Sequence, residues 1–182
     1  KFFMTKKEVR AFQKKRILEI QNRFEKEEKI KSNLLARLQS CKRILAYRAD
    51  LWEVNLDSIW ENSDSKITQF YFPRVTSIET KSMEFIRPSS WEIGTYGLSE
   101  PVGTDKISPE EADLLIVPAL GFNEKGFRLG RGAGFYDRAF QNIKPKKMIG
   151  ISFLELFSID FPSSDYDIRV GELVTDSGVL FF

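Results

Sequence analysis

The run DLLIVPALGF, Asp113 to Phe122, constrains the fold of this chain more than any other stretch. Leu114 to Val117 are apolar without interruption. A strand with one wet face alternates apolar and polar side chains, so an unbroken run implies a strand covered on both faces. KKMIGISF (146–153) has the same character, and GELVTDSGVLFF (171–182) supplies one or two more strands. RILAYR (43–48) reads as the first strand, and ITQFYFP (67–73) as a second, rich in aromatics and closed by Pro73. SMEFIR (82–87) alternates and reads as a half-exposed strand, whereas WEIGTYGLSEPVG (91–103) reads as a loop. Val9, Phe12, Ile17, Ile20 and Phe24, then Ile30, Leu34, Leu35, Leu38 and Cys41, fall near helical spacing and predict two helices over 5–40. NLDSIWEN (55–62) and GFYDRAFQNI (134–143) predict two shorter helices. Helices alternating with buried strands predict an α/β layered architecture, a mostly parallel sheet flanked by helices, in a single domain over 1–182.

Composition narrows the chemistry. The chain has no histidine, so histidine triads, His–Cys dyads and histidine-ligated metals are excluded. Carboxylates, arginines, lysines, tyrosines and backbone amides suit phosphoryl transfer, where catalysis is mostly positioning and charge stabilisation. A net charge of +2 gives no argument for a nucleic-acid or membrane partner. No run reaches membrane-span length, and Lys1–Phe3 before Met4 is too short for a signal-peptide core. The single cysteine, Cys41, ends an apolar stripe and reads as a buried structural thiol, and one cysteine fits a reducing, cytoplasmic setting.

Inside the central segment lies RLGRGAGFYDR, 128–138. Three of the chain's 11 glycines alternate at 130, 132 and 134, beside Arg128, Arg131 and Arg138, with Asp137 just behind. Glycines permit positive φ and let successive N–H groups converge on an anion at the edge where the preceding strand ends. Arg128 and Arg131 add forked donors that match phosphate oxygens. A carboxylate such as Asp137, in the first turn of the following helix, repels a polyphosphate unless a cation such as Mg²⁺ lies between them. The spacing matches neither the P-loop nor the dinucleotide fingerprint, and a bare GxGxG also fits a tight turn.

DLLIVPALGFNEKGFRLGRGAGFYDR resembles the signature of the 5-formyltetrahydrofolate cyclo-ligase family, a D-L-hydrophobic-P-G-hydrophobic-x-F segment followed by R-L-G-x-G-x-G-[FY]-Y-D. KKEVR (6–10), WEV (52–54), YGLSEP (96–101) and YDIRVGELVTD (166–176) are weaker echoes over nearly the whole chain. The resemblance implies an enzyme that uses ATP and Mg²⁺ to convert 5-formyltetrahydrofolate to 5,10-methenyltetrahydrofolate, releasing ADP and phosphate. It implies ATP contacts from Lys6, Lys7, Arg10, Arg128, Leu129, Gly130, Arg131, Gly132, Ala133, Gly134, Phe135 and Tyr136. Arg128 and Arg131 would also be catalytic. Asp137 and Asp167 would hold magnesium, and Glu53, with Tyr47, Arg48 and Tyr96 near it, would contact the folate. The implied partner is a small-molecule substrate, not nucleic acid or membrane, and a monomer is expected.

Ala119, Ala133 and Phe135 depart from the family's usual residues, as do Tyr166 and Gly171 near the C-terminus, and Trp52 is expected to reshape the pterin pocket. Plainer readings stand beside the assigned roles. Lys6 and Arg10 suit a solvated basic face, Glu53 a helix cap, Asp167 a turn, and Tyr47 and Tyr96 core aromatics. A non-catalytic folate- or nucleotide-binding protein of the same fold is the second function class.

Overall fold

The structure is a computed structural model that describes residues 4–64 and 66–182. The readings placed on Lys1–Phe3 lie outside the described residues. The chain runs α1 (Lys6–Glu19), α2 (Arg23–Leu38), β1 (Arg43–Leu45), α3 (Asp57–Asn62), β2 (Gln69–Ser77), β3 (Ser82–Ile86), β4 (Ser90–Ile93), β5 (Ser99–Val102), β6 (Lys106–Ile107) and β7 (Leu114–Pro118). It continues through β8 (Gly121–Phe122), β9 (Arg128–Leu129), α4 (Phe135–Phe140), β10 (Met148–Ile151), β11 (Glu172–Thr175) and β12 (Gly178–Phe181).

Eight strands form one sheet in the order β12-β11-β10-β7-β1-β2-β3-β6. The central pairings β11–β10, β10–β7, β7–β1 and β1–β2 are parallel, and the outer three are antiparallel. The apolar runs have the cause inferred for them. Along β7, Leu114 and Ile116 enter the core layer that holds Ile17, Ile30 and Leu34 of α1 and α2. Leu115 and Val117 enter the other layer, with Phe140 of α4. Ile44 and Leu45 of β1 divide in the same way, as successive side chains of a strand must. Asp113 fastens the β1–β7 pairing at its start, accepting the N–H groups of Lys42 at 2.8 Å and Arg43 at 2.9 Å. Among the described residues no helix is long and apolar enough to cross a membrane. Cys41 is half-buried against the core, and burial raises its thiol pKa.

Three expectations need correction. Pro73 does not close the second strand, which continues to Ser77. It lies past Tyr71, the last β1 partner, so the strand there has one neighbour and tolerates the missing donor. The stretch 91–103 is a two-stranded hairpin, β4–β5, carrying a 3₁₀ turn at Thr95–Gly97. Its polar and glycine-rich sequence hides the strands because most of β4 faces solvent. The glycine loop does not follow β7 directly: the hairpin β8–β9 intervenes and brings the chain back beside the end of β7.

Candidate active site

The glycine loop, residues 130–134, leaves β9 and enters α4. Gly132 has φ +107 and Gly134 φ +78, in the left-handed region that side chains disfavour. At Gly130 the constraint is space, since a Cβ would lie 2.4 Å from Nη1 of Arg128. Arg128 is buried under the loop. Its Nε donates to the Pro118 carbonyl at 2.6 Å, its Nη1 lies 3.9 Å from Asp137 Oδ2, and its guanidinium stands 4.8 Å from the Tyr136 ring centre. Burial lowers the Arg128 pKa, and the Asp137 carboxylate opposes that.

α1 delivers further charge to the same place. Buried Gln13 donates to the Leu120 carbonyl at 3.1 Å and pins the helix to the β7–β8 loop. One turn earlier, Arg10 Nε donates to the Gly130 carbonyl at 2.8 Å. One turn earlier again, Lys6 forms a 2.5 Å ion pair with Asp167. Burial alone would raise the Asp167 pKa, but the bonds from Lys6 and the Ser164 N–H outweigh it and the pKa is lowered. Asp137 Oδ1 accepts the Ile168 N–H at 3.2 Å, which ties α4 to the segment carrying Asp167.

The facing wall comes from the β1–α3 connection and the β4–β5 hairpin. Tyr47 is buried and its hydroxyl donates to the Val54 carbonyl at 2.7 Å, folding the connection into a loop. Arg23 of α2 holds that loop from outside through the carbonyls of Leu51 and Glu53, at 3.1 and 2.7 Å. Glu53 Oε2 accepts the Asp50 N–H at 3.2 Å. Burial, then the neighbouring Asp50 carboxylate, pushes the Glu53 pKa up to about 7, against the Asp50 N–H and the charges of Arg131 and Arg128. Burial and then the Glu53 carboxylate raise the pKa values of the Tyr47 and Tyr136 hydroxyls. Arg48 pairs with Asp57 at 3.4 Å and Glu61 at 2.7 Å, its guanidinium 4.9 Å from the Trp91 ring centre. Tyr96, at the hairpin tip with φ +61, meets Phe135 edge-on at 6.2 Å. Arg131 spans the cleft in an ion pair with Asp50. The two walls enclose about 660 Å³, lined also by Phe72, Val75, Met83 and Ile93.

The sequence model of the 5-formyltetrahydrofolate cyclo-ligase family matches residues 4–176. The chain belongs to the 5-formyltetrahydrofolate cyclo-ligase family. Members of this family convert 5-formyltetrahydrofolate to 5,10-methenyltetrahydrofolate using ATP. A mouse 5-formyltetrahydrofolate cyclo-ligase is 33% identical over 56% of this chain, and the match spans 51% of the mouse protein. The Haemophilus influenzae enzyme is 26% identical over 78% of this chain and 79% of its own length. Two solved structures share the fold. The Aquifex aeolicus 5,10-methenyltetrahydrofolate synthetase has TM-score 0.83 and 27% identity, covering 98% of this chain and 93% of its own. The Mycoplasma pneumoniae 5,10-methenyltetrahydrofolate synthetase has TM-score 0.77 and 24% identity, covering 95% and 99%.

The cleft of this cyclo-ligase fold gathers most of the residues singled out in the sequence. Tyr47, Arg48, Glu53 and Tyr96 line it, as do Arg128, Gly130, Arg131 and the loop from Gly132 to Tyr136. Arg10, Lys6, Asp137 and Asp167 lie behind the loop through the contacts above. Lys7 is exposed and Leu129 is a core residue of β9. Glu53 is not the cap of α3, whose N-cap is Leu56. Trp52 does not line the cleft; it packs against the core beneath Lys14, whose ammonium is 5.2 Å from its ring centre. The departure at Gly171 has a steric cause, since a Cβ there would lie 2.7 Å from the Pro145 carbonyl oxygen. Tyr166 is 86% exposed. Sequence reasoning missed Asp50, Asp57, Lys14 and Glu100 as cleft residues. Glu100 had a signal, the YGLSEP echo that contains it, and it is buried with its carboxylate on the Val75 N–H at 3.3 Å. The other three carry no motif.

Among the described residues no group of three or more His, Cys, Asp or Glu is arranged to hold a metal. That does not disfavour Mg²⁺, which takes one or two carboxylates and completes its shell with phosphate oxygens and water. Asp137 fits such a part-site, being a half-buried carboxylate beside the loop with only Oδ1 engaged in a hydrogen bond. Asp167 is already committed to Lys6.

Proposed function

We propose that this chain catalyses the ATP- and Mg²⁺-dependent closure of 5-formyltetrahydrofolate to 5,10-methenyltetrahydrofolate, with release of ADP and phosphate. The observation that carries this reading is one cleft with two unlike walls, a glycine loop ringed by arginines and a buried carboxylate beside apolar side chains. ATP lies along the loop. Its phosphates meet the loop N–H groups, Arg10, Arg128 and Arg131, and Lys6 from α1. Asp137, with Asp167 once Lys6 turns to phosphate, would hold magnesium, which neutralises polyphosphate charge when bound. The pterin lies against Glu53, whose ionised carboxylate accepts a ring N–H and the exocyclic amino group side by side. Tyr47, Arg48 and Tyr96 shape that end.

In this arrangement the formyl oxygen attacks the γ-phosphorus and ADP leaves. N10 then attacks the activated formyl carbon and loses its proton, and phosphate departs with the former formyl oxygen. Arg128 and Arg131 stabilise charge on the transferring group, which is where phosphoryl transfer gains most. The chain is expected to act as a monomer on a small-molecule substrate, and its single cysteine, Cys41, suits the cytoplasm.

The test is product formation followed by methenyl absorbance, with each component omitted in turn. Turnover should need ATP, Mg²⁺ and 5-formyltetrahydrofolate together. Product without ATP, or none with all three present, contradicts the reading; binding of both ligands without turnover would leave the non-catalytic alternative.

A further inference from the structure

The cations around the glycine loop differ in one respect. Arg10, Arg128, Arg131 and Lys6 each rest on a protein oxygen. Lys81 lies in the turn between β2 and β3, more than forty residues before the loop in sequence. A Cβ built at Gly134 would lie 3.6 Å from Lys81 Nζ and 3.7 Å from its Cδ, so the lysine tail lies along the loop where it enters α4. Among the described residues its ammonium has no ion pair and no hydrogen-bond acceptor. Glu84, on the strand that follows, is taken by Lys106 at 2.7 Å. Lys81 also has φ +55, a left-handed conformation uncommon for any residue but glycine. Such strain persists where the surrounding structure holds it, and it is frequent at ligand sites. Arg131 of the loop is held by Asp50 and Arg138 of α4 is exposed, whereas the atoms within 4 Å of a Cβ at Gly134 are those of Lys81.

We propose that Lys81 is a phosphate-contacting residue, which places its ammonium on ATP from the β2–β3 turn. The proposal rests on the placement of ATP along the glycine loop. Lysine serves phosphate as a compact point charge on a flexible stem, and it needs no fixed planar geometry to do so. An ammonium without a protein partner carries its charge to the ligand with no ion pair to break first. Arg10 beside Gly132 and Lys81 beside Gly134 then flank the loop's phosphate from two separate elements.

The experiment is calorimetric titration of a non-hydrolysable ATP analogue with Mg²⁺, in the absence of folate, into wild type, Lys81→Met, Lys81→Arg and Lys81→Gly. Lys81→Met should bind about tenfold more weakly, roughly 1.4 kcal/mol, and with a shallower dependence on salt. Lys81→Arg should recover most of the loss. Lys81→Gly should bind as weakly as Lys81→Met while melting at the same or a higher temperature, because glycine relieves the positive φ. In turnover, the ATP KM should rise and the folate KM stay within about twofold. Methionine and glycine variants that bind the analogue as wild type does would overturn the proposal. Wild type that fails to bind the analogue at all overturns the placement of ATP itself, a result distinct from the first.

Discussion

The glycine-loop wall and the Glu53 wall face the same cleft but are built in opposite ways. The loop wall is one contiguous segment, Arg128 to Tyr136, made of backbone with positive φ and cations braced on carbonyls and carboxylates. The Glu53 wall is gathered from the β1–α3 connection, β2, β3 and the β4–β5 hairpin, and its distinctive group is a carboxyl group with its pKa raised to about 7. A backbone cradle recognises charge and shape, and suits a polyphosphate. A buried carboxylate among apolar side chains recognises paired donors on a flat ring, and suits a pterin. Changes to one wall should therefore act on one ligand and spare the other.

The largest effect is expected at Asp137. Asp137→Asn keeps the shape and can still accept the Ile168 N–H, but it removes the charge of the carboxylate proposed to hold magnesium. Turnover should fall on the order of a hundredfold, a few kcal/mol of transition-state stabilisation, with the melting temperature nearly unchanged and partial recovery at high Mg²⁺. Wild-type rates at low Mg²⁺ would show that the residue only supports Arg128.

Next comes a pH dependence specific to the Glu53 wall. The folded chain holds the Glu53 proton more tightly than the unfolded chain, with a pKa of about 7 against 4.5. The associated stability is fully present below the unfolded value and is lost as pH rises through 7. Denaturation of the ligand-free protein should thus show wild type losing roughly 2 to 3 kcal/mol relative to Glu53→Gln between pH 4.5 and pH 8. Folate binding should run the other way and strengthen as Glu53 ionises. Parallel pH profiles for the two proteins would remove Glu53 as a titrating group.

A smaller effect sharpens the same contrast. Gly132 (φ +107) and Gly97 (φ +69) both have room for a methyl group, the nearest atom to the added carbon being 3.5 Å away at Gly132 and none lying within 4 Å at Gly97. Gly132→Ala and Gly97→Ala should each cost roughly 1 kcal/mol of backbone strain. The first should raise the ATP KM and the second the folate KM. Equal effects of both on both ligands would mean that the walls do not act separately.

This division also governs what the sequence reveals. The buried strands were legible because both faces of β7 and β10 are covered, which forces unbroken apolar runs. The loop wall was legible because alternating glycines with arginines beside them are the local pattern of a backbone anion cradle, and an aspartate just behind adds a place for a cation. The Glu53 wall was mostly hidden. Asp50 acts through its ion pair with Arg131, some eighty residues away, and Glu53 is held in place by Arg23 of α2 through its carbonyl. Neither relation leaves a local pattern. The hairpin β4–β5 was missed for a related reason, since a strand that faces solvent carries no apolar alternation. Lys81 is an ordinary surface lysine in the sequence, and only the folded chain brings it to Gly134.

The most direct test of the two-wall account is equilibrium binding to Glu53→Gln, with each ligand titrated in the absence of the other. The substitution removes the charge of the buried carboxylate and one of its acceptors, which is worth roughly 1.5 to 3 kcal/mol, or ten- to a hundredfold in affinity. The account predicts that 5-formyltetrahydrofolate binding weakens by that factor while binding of the ATP analogue with Mg²⁺ is unchanged. Equal weakening of both ligands, or of neither, would contradict it.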